Sequence, residues 1–204
     1  MDAAIPKPPG LLIVVSGPAG SGKTTLSQRI LLEEPNLSRV VTSTTRKPRK
    51  GEKDGIDYHF LDHTIFEEKI EAGEFYEYAR VHGKLYGTLK REVREKLATG
   101  MDLLLIIDVQ GADSLREKAL TDELLKSRLA TIFILPPSIK ELEKRLRERA
   151  TDGDDEIRKR LKVAIEEMRQ SNRYDYCLRS GSRKEDFRNL QAIYHAEKMR
   201  NRSI

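Results

Sequence analysis

Gly17 to Thr24, GPAGSGKT, set three glycines, a lysine and a threonine at the spacing G-x-x-x-x-G-K-[ST]. Each residue type has a task in holding a polyphosphate. Gly17, Gly20 and Gly22 let the backbone curl so that its N–H groups turn inward, at the positive end of the helix that follows. Lys23 reaches the β and γ phosphates, and the Thr24 hydroxyl is the candidate ligand for a Mg²⁺ ion bridging them. With Pro18, Ala19, Ser21 and Thr25 completing the loop, residues 17 to 25 form a candidate nucleoside triphosphate site with Lys23 as a candidate catalytic residue. A glycine-rich turn with a solvent-facing lysine would share this composition. The apolar run GLLIVVSG before the motif and the helical pattern after it supply the context that the phosphate-binding reading requires.

A triphosphate site does not define a reaction. Asp108 closes the run MDLLLIID, where a carboxylate can hold water around Mg²⁺, but where a polar strand end can equally cap the next turn. Asp108-Val-Gln-Gly111 is also the D-x-x-G with which a GTPase senses its γ phosphate. The N-K-x-D element that such an enzyme needs to read its base is absent from the sequence, which makes this the weaker reading.

The stretch TSTTRKPRKGEKDGIDYHF, Thr42 to Phe60, gathers four hydroxyls and five cations ahead of a tyrosine. A phosphotransferase acting on a nucleoside monophosphate needs a second site for a dianionic phosphate. Arginine suits that site because its planar fork binds phosphate oxygens in pairs and stays charged, so Arg46 and Arg49 are better candidates than Lys47, Lys50 or Lys53. Tyr58 and Tyr86 can each donate a hydroxyl hydrogen bond to the same group. Taken alone, five cations in a loop also describe a solvated face.

Elements must position these residues. GLLIVVSG, MDLLLIID and LATIFIL are continuous apolar runs, each followed by a segment of helical periodicity, which predicts buried parallel strands wrapped by helices. Pro136 and Pro137 end the third run, and Ser138 with Glu141 predicts a capping box. In DEIRKRLKVAIEEMRQ, Ile157, Leu161, Ala164, Ile165 and Met168 line one helical face. Residues 37–90 break the alternation, with scattered aromatics and no long helix, as does TDGDD at 151–155.

The 204 residues suffice for one core with small appended lobes. With 38 Lys and Arg against 33 Asp and Glu, the formal charge of +5 fits small anionic ligands without demanding nucleic acid. A single cysteine, Cys177, excludes an internal disulfide and a cysteine-based zinc site and suits a reducing compartment. No apolar run is long enough to cross a bilayer and the first ten residues lack a secretory apolar region, so a soluble cytoplasmic protein without a membrane partner is expected.

Together these residues resemble guanylate kinase. TSTTRKPRKGEKDGIDY matches the acceptor signature S-x-T-T-R-x-P-R-x-G-E-x-D-G-x-D-Y of that family, KLYGT at 84–88 follows at the family's distance, and the likeness runs from Leu11 to about Asp175. It implies an α/β fold: a P-loop NTPase-type parallel sheet core (11–36, 91–137 and 172–204) flanked by helices, an inserted GMP-binding lobe (37–90) and a helical lid (138–171) behind a flexible tail (1–10). It implies Mg²⁺-dependent transfer from ATP to GMP in a monomer or small homo-oligomer. By it, Arg46, Arg49, Tyr58 and Tyr86 hold the GMP phosphate, and Thr42, Glu77 and Thr88 read guanine. Gly87 and Asp108 complete that set, while Arg149 and Arg160 close over the donor phosphates as catalytic partners of Lys23. Four places depart from the pattern: Thr42 replaces Ser, Ile106 an acidic residue, Ala150 a Gly, and Ser180-Gly181 an Asn-Asp pair.

Two other classes are weaker. A guanylate-kinase-like binding module typically lacks the P-loop lysine or lid arginines that stand here as Lys23, Arg149 and Arg160. A nucleic-acid binder is suggested by charge alone and has no reading motif.

Overall fold

The computed structural model describes residues 8–81, 83–149 and 154–202, the side chain of Arg149 excepted. The expectations for residues 1–7, for Ala150 and for 151–153 lie outside the described residues. Among the described residues the strands form two sheets.

The larger sheet is built from the apolar runs. Its strands β1 (Leu12–Ser16), β2 (Leu37–Arg39), β7 (Asp102–Ile106), β8 (Leu129–Leu135) and β9 (Tyr176–Arg179) are all parallel, in the order β2-β7-β1-β8-β9. Successive side chains of β1 go to opposite faces and every one is buried, which is why the run shows no polar alternation. Ile13 and Val15 meet α1 (Lys23–Glu33) and α8 (Arg183–Met199) through Ile30, Phe187 and Leu190. Leu12 and Val14 meet α3 (Lys90–Ala98), α4 (Val109–Ala119) and α5 (Glu123–Arg128) through Leu97, Leu115 and Leu125. Each such fully buried aliphatic chain contributes about 1.5–3 kcal/mol relative to exposure.

The second sheet holds β3 (Ser43–Thr44), β4 (His59–Phe60), β5 (Phe75–Val81) and β6 (Lys84–Leu89) in the order β4-β3-β6-β5. It carries its own small core, where Phe66 of α2 (His63–Glu71) stacks on Phe75 at 4.5 Å between ring centres, with Leu85 beside them. β2, which the sequence reading places in this lobe, pairs instead with β7, so the lobe's sheet begins at β3. The segment was too short to show its partner by periodicity.

A third packing unit joins α6 (Ile139–Arg149) to α7 (Asp154–Arg169) through Leu142, Leu146, Leu161 and Ala164. The Glu141 N–H donates to Ser138 Oγ at 3.1 Å, as the capping signal predicts, while the Glu141 carboxylate accepts from Arg145 one turn on. At the other end of α7, Met168 packs on the main core. Among the described residues no helix is long and apolar enough to cross a membrane.

Candidate active site

Parallel strands deliver their C-terminal ends to one edge of the sheet, and both candidate sites lie there. Val15 pairs with Ile106, so the loop after β1 and the residues Ile107 and Asp108 after β7 are neighbours.

The loop from Gly17 to Gly22 is made by backbone. Gly17, Gly20 and Gly22 all have left-handed φ (135°, 86° and 102°). A Cβ on Gly17 would stand 2.4 Å from the Ile134 carbonyl oxygen, so this position excludes every side chain. Lys23 Nζ donates to the carbonyls of Gly17 at 2.5 Å and Pro18 at 2.9 Å, which pins the ammonium over the loop. Thr24 and Thr25 open the exposed first turn of α1, and Ser21 is buried. Beside the loop lies a cavity of about 560 Å³, bounded by Gly20, Gly22 and Thr25, by Arg145 of α6, and by Ser180 and Gly181 after β9. Asp186 closes that last segment: its carboxylate accepts from Ser180 Oγ at 2.8 Å and from the Gly181 N–H at 2.7 Å. The Ser-Gly replacement noted in the sequence is thus a self-contained turn.

The second cavity, about 210 Å³, is lined by Thr42, Tyr58, Glu77, Tyr86, Gly87 and Asp108, with Ala79, Val81, Ile106 and Ile107 as apolar walls. The four-residue hydroxyl run divides its tasks. Thr42 faces the cavity, whereas Thr44 Oγ1 donates to the Leu85 carbonyl at 2.9 Å and Thr45 Oγ1 accepts from the Leu85 N–H at 2.9 Å, fastening β3 to β6. Ser43 is buried in the lobe.

Glu77 sits on β5 where the pairing with β6 shifts register between Phe75 and Glu77. Such an irregularity re-aims side chains. Phe75 enters the lobe's core, Tyr76 the main core, and Glu77 the cavity at 6% exposure. Its cross-strand partner Thr88 donates to Oε1 at 2.5 Å. Burial pushes the Glu77 carboxyl up to about 7, opposed by the Thr88 hydroxyl and assisted by the charge of Asp108. The first turn of α4 comes close: a Cβ on Gly111 would stand 3.0 Å from Glu77 Oε2. Gly111 therefore admits the helix N-terminus to the carboxylate. Its only trace in the sequence is the D-x-x-G spacing. Asp108 itself caps α4, accepting from the Gly111 N–H at 2.8 Å, so the capping alternative for this residue holds while it also lines the cavity.

Arg46 stands at the other end. Its guanidinium lies 5.3 Å from the Tyr58 ring centre, and Tyr58 meets Tyr86 edge-on at 6.1 Å. A fork of bonds joins Arg46 to both carboxylate oxygens of Glu52, at 2.8 and 2.9 Å, and the Arg49 N–H donates to Glu52 at 2.7 Å. These bonds, Arg46 first, pull the Glu52 carboxyl down to about 2 and hold the Arg46 guanidinium above its ordinary value. The sequence reading assigned Glu52 no role; its signal was its place three residues after Arg49, within reach of that residue's N–H.

Arg160 lies on α7 beside Glu156 at 3.5 Å and lines neither cavity. Arg149 ends α6 and its side chain is outside the described residues. Glu167, also unassigned by the sequence, is the carboxylate that α7 brings toward Lys23 and Asp108: burial raises it, the charge of Lys23 opposes and that of Asp108 assists.

Comparison with known proteins agrees with this geometry. A family model described as guanylate kinase matches residues 10–197. The guanylate kinase of Myxococcus xanthus (strain DK1622) is 40% identical over 205 residues, covering 100% of this chain and 95% of that one. That of Aromatoleum aromaticum is 43% identical over 192 residues, covering 94% and 91%. The crystal structure of guanylate kinase from Anaplasma phagocytophilum superposes with a TM-score of 0.72 at 33% identity, covering 96% of this chain and 89% of that one. With a matched model over most of its length and relatives of this identity over nearly all of it, the chain belongs to the guanylate kinase family.

Proposed function

We propose that the protein transfers the γ-phosphoryl group of ATP to GMP, giving ADP and GDP. The observation that carries this reading is the buried Glu77 in a cavity shared with Thr42 and Tyr86. Guanine presents N1–H and N2–H₂ as adjacent donors, which one carboxylate accepts together, and O6 as an acceptor for a threonine hydroxyl. Adenine would leave the Glu77 carboxylate buried with Thr88 as its donor and no partner from the base, a mismatch that costs about 10⁴-fold in discrimination.

The reaction needs no covalent enzyme intermediate. Arg46, Arg49, Tyr58 and Tyr86 hold the GMP phosphate, and one of its oxygens attacks the γ-phosphorus as the bond to the β–γ bridging oxygen breaks. The cavity walls Ile106, Ile107, Ala79 and Val81 keep the base in register with that phosphate. The backbone N–H groups of residues 19 to 25 and the Lys23 ammonium stabilise charge on the transferring group and on the ADP that leaves. Arg160, with Arg149, adds positive charge as α6 and α7 close over the donor, and closure excludes water that would otherwise compete as nucleophile.

The exposed Thr24 hydroxyl is a hard oxygen donor, and among the described residues no group of three or more His, Cys, Asp or Glu is placed to hold a metal. That donor set fits Mg²⁺ carried on nucleotide phosphates with Thr24 as its protein ligand and Asp108 on its water. Bound there, Mg²⁺ would neutralise phosphate charge.

ADP formation with ATP and Mg²⁺, measured with GMP, AMP, CMP, UMP and dTMP at equal concentration, tests the assignment. Turnover confined to GMP is the expected result. No turnover with GMP in protein that still binds it would overturn the transferase reading.

A further inference from the structure

A third cavity, about 200 Å³, lies at the opposite edge of the large sheet, among the N-terminal strand ends. Five residues of β1, roughly 16 Å of strand, separate it from the P-loop. Its floor is Leu11, Gly100 and Asp102, and its charged wall is Arg128, Lys198, Arg200 and Arg202 facing Asp102 and Glu197. Four cations against two carboxylates leave an excess of two positive charges.

Both carboxylates are already committed. Asp102 accepts from the Leu11 N–H at 2.8 Å, Asn36 at 3.0 Å, Tyr194 at 2.6 Å and Lys198 at 2.7 Å. Glu197, fully buried, accepts from Tyr176 and Arg202 and pairs with Arg200 at 3.5 Å. Neither reaches Arg128. That residue is 7% exposed, and among the described residues its guanidinium makes no hydrogen bond and no ion pair; its Nε is buried and unpartnered. The Arg202 Nε is buried and unpartnered as well. Burial, and then the neighbouring charge of Arg128, push the Arg202 guanidinium below its ordinary value. A buried, unpaired cation is costly, and protein interiors keep one where a ligand or partner supplies the missing charge.

We propose that this cavity binds a phosphate dianion, free or as the terminal group of a small phosphomonoester, apart from both substrate sites. The fork of a guanidinium matches phosphate oxygens in pairs, and the excess of two positive charges matches a dianion. Asp102 and Glu197 act as supports that fix Lys198, Arg200 and Arg202 around the opening.

Backbone ¹H–¹⁵N spectra of the full chain, titrated with sodium phosphate or glycerol 3-phosphate against sodium chloride at matched ionic strength, locate binding residue by residue and separate this site from the P-loop. Saturable shifts at Gly100, Lys198 and Arg200 are expected with phosphate. If glycerol 3-phosphate saturates them too, the site takes phosphomonoesters; if phosphate alone does, it takes the free ion. R128Q should weaken this binding at least about tenfold and leave the shifts at Gly20 and Gly22 unchanged. R200Q, at the exposed rim, should weaken it several-fold and keeps the test open if R128Q does not fold. Shifts confined to the P-loop, or a linear drift equal to that with chloride, would overturn the proposal and leave Arg128 as a packing side chain.

Discussion

The donor loop and the acceptor lobe hold their polar groups by opposite means. The loop is eight consecutive residues whose left-handed glycines shape the main chain, with Lys23 bonded to the carbonyls beneath it. The acceptor cavity assembles side chains from residues 42 to 108, brought together from the lobe, the end of β7 and the start of α4. Within the lobe the contrast repeats between two carboxylates. Glu52, solvated and bonded to Arg46 and Arg49, is pulled down to about 2, whereas Glu77, buried with one threonine, is pushed up to about 7. Glu52 serves cations the protein already has. Glu77 is kept short of partners, and in the proposed reaction that leaves it free to accept from the base.

That contrast predicts two different kinetic failures. K23M removes a charge that matters most as the phosphoryl group moves, so kcat should fall about 10²–10³-fold with little change in the KM for GMP. E77Q presents an N–H₂ toward the guanine donors, so kcat/KM for GMP should fall about 10²-fold, chiefly through KM. A kcat defect in E77Q equal to that of K23M would erase the distinction. The same variant should also be more stable than the parent without ligand. Because the folded carboxyl binds a proton that the unfolded chain has released, ionising Glu77 in place costs stability as pH rises from the ordinary glutamate range through 7. Denaturation at pH 8 should show E77Q stabilised by on the order of 3 kcal/mol, and at pH 5 by little.

The two regions were also unequally legible in the sequence. The parallel sheet and the P-loop could be read because continuous apolar runs and glycine spacing are local signals, fixed by burial on both faces and by backbone geometry. Arg46, Tyr58 and Tyr86 could be named as chemistry, but their meeting depends on the β3–β6 pairing, which no periodicity shows. Glu77 was placed at the base only by the family resemblance, with no local signal of its own. Its burial follows from the register shift in β5 and the approach of Gly111, both of which are tertiary. Glu52 was in view throughout, inside the quoted signature, yet its function comes from the fork it makes with Arg46.

The gentlest perturbation of the comparison is the proton. With a carboxyl at about 7, half of the ligand-free molecules carry neutral Glu77 at pH 7 and about ten in eleven at pH 6, so the competent fraction falls roughly fivefold over that unit. Guanine needs the ionised form, since only it accepts two hydrogen bonds. The KM for GMP should therefore rise about fivefold from pH 7 to pH 6 and flatten above pH 8, with a proton released on binding below pH 7. The phosphate of GMP titrates near pH 6 as well, so the informative quantity is the ratio of KM in the parent to KM in E77Q across the range. Both proteins share the titration of the substrate, and only the parent has that of Glu77. A ratio that stays level between pH 6 and pH 8 would mean that Glu77 is ionised throughout, held by the N-terminus of α4 more strongly than burial opposes it.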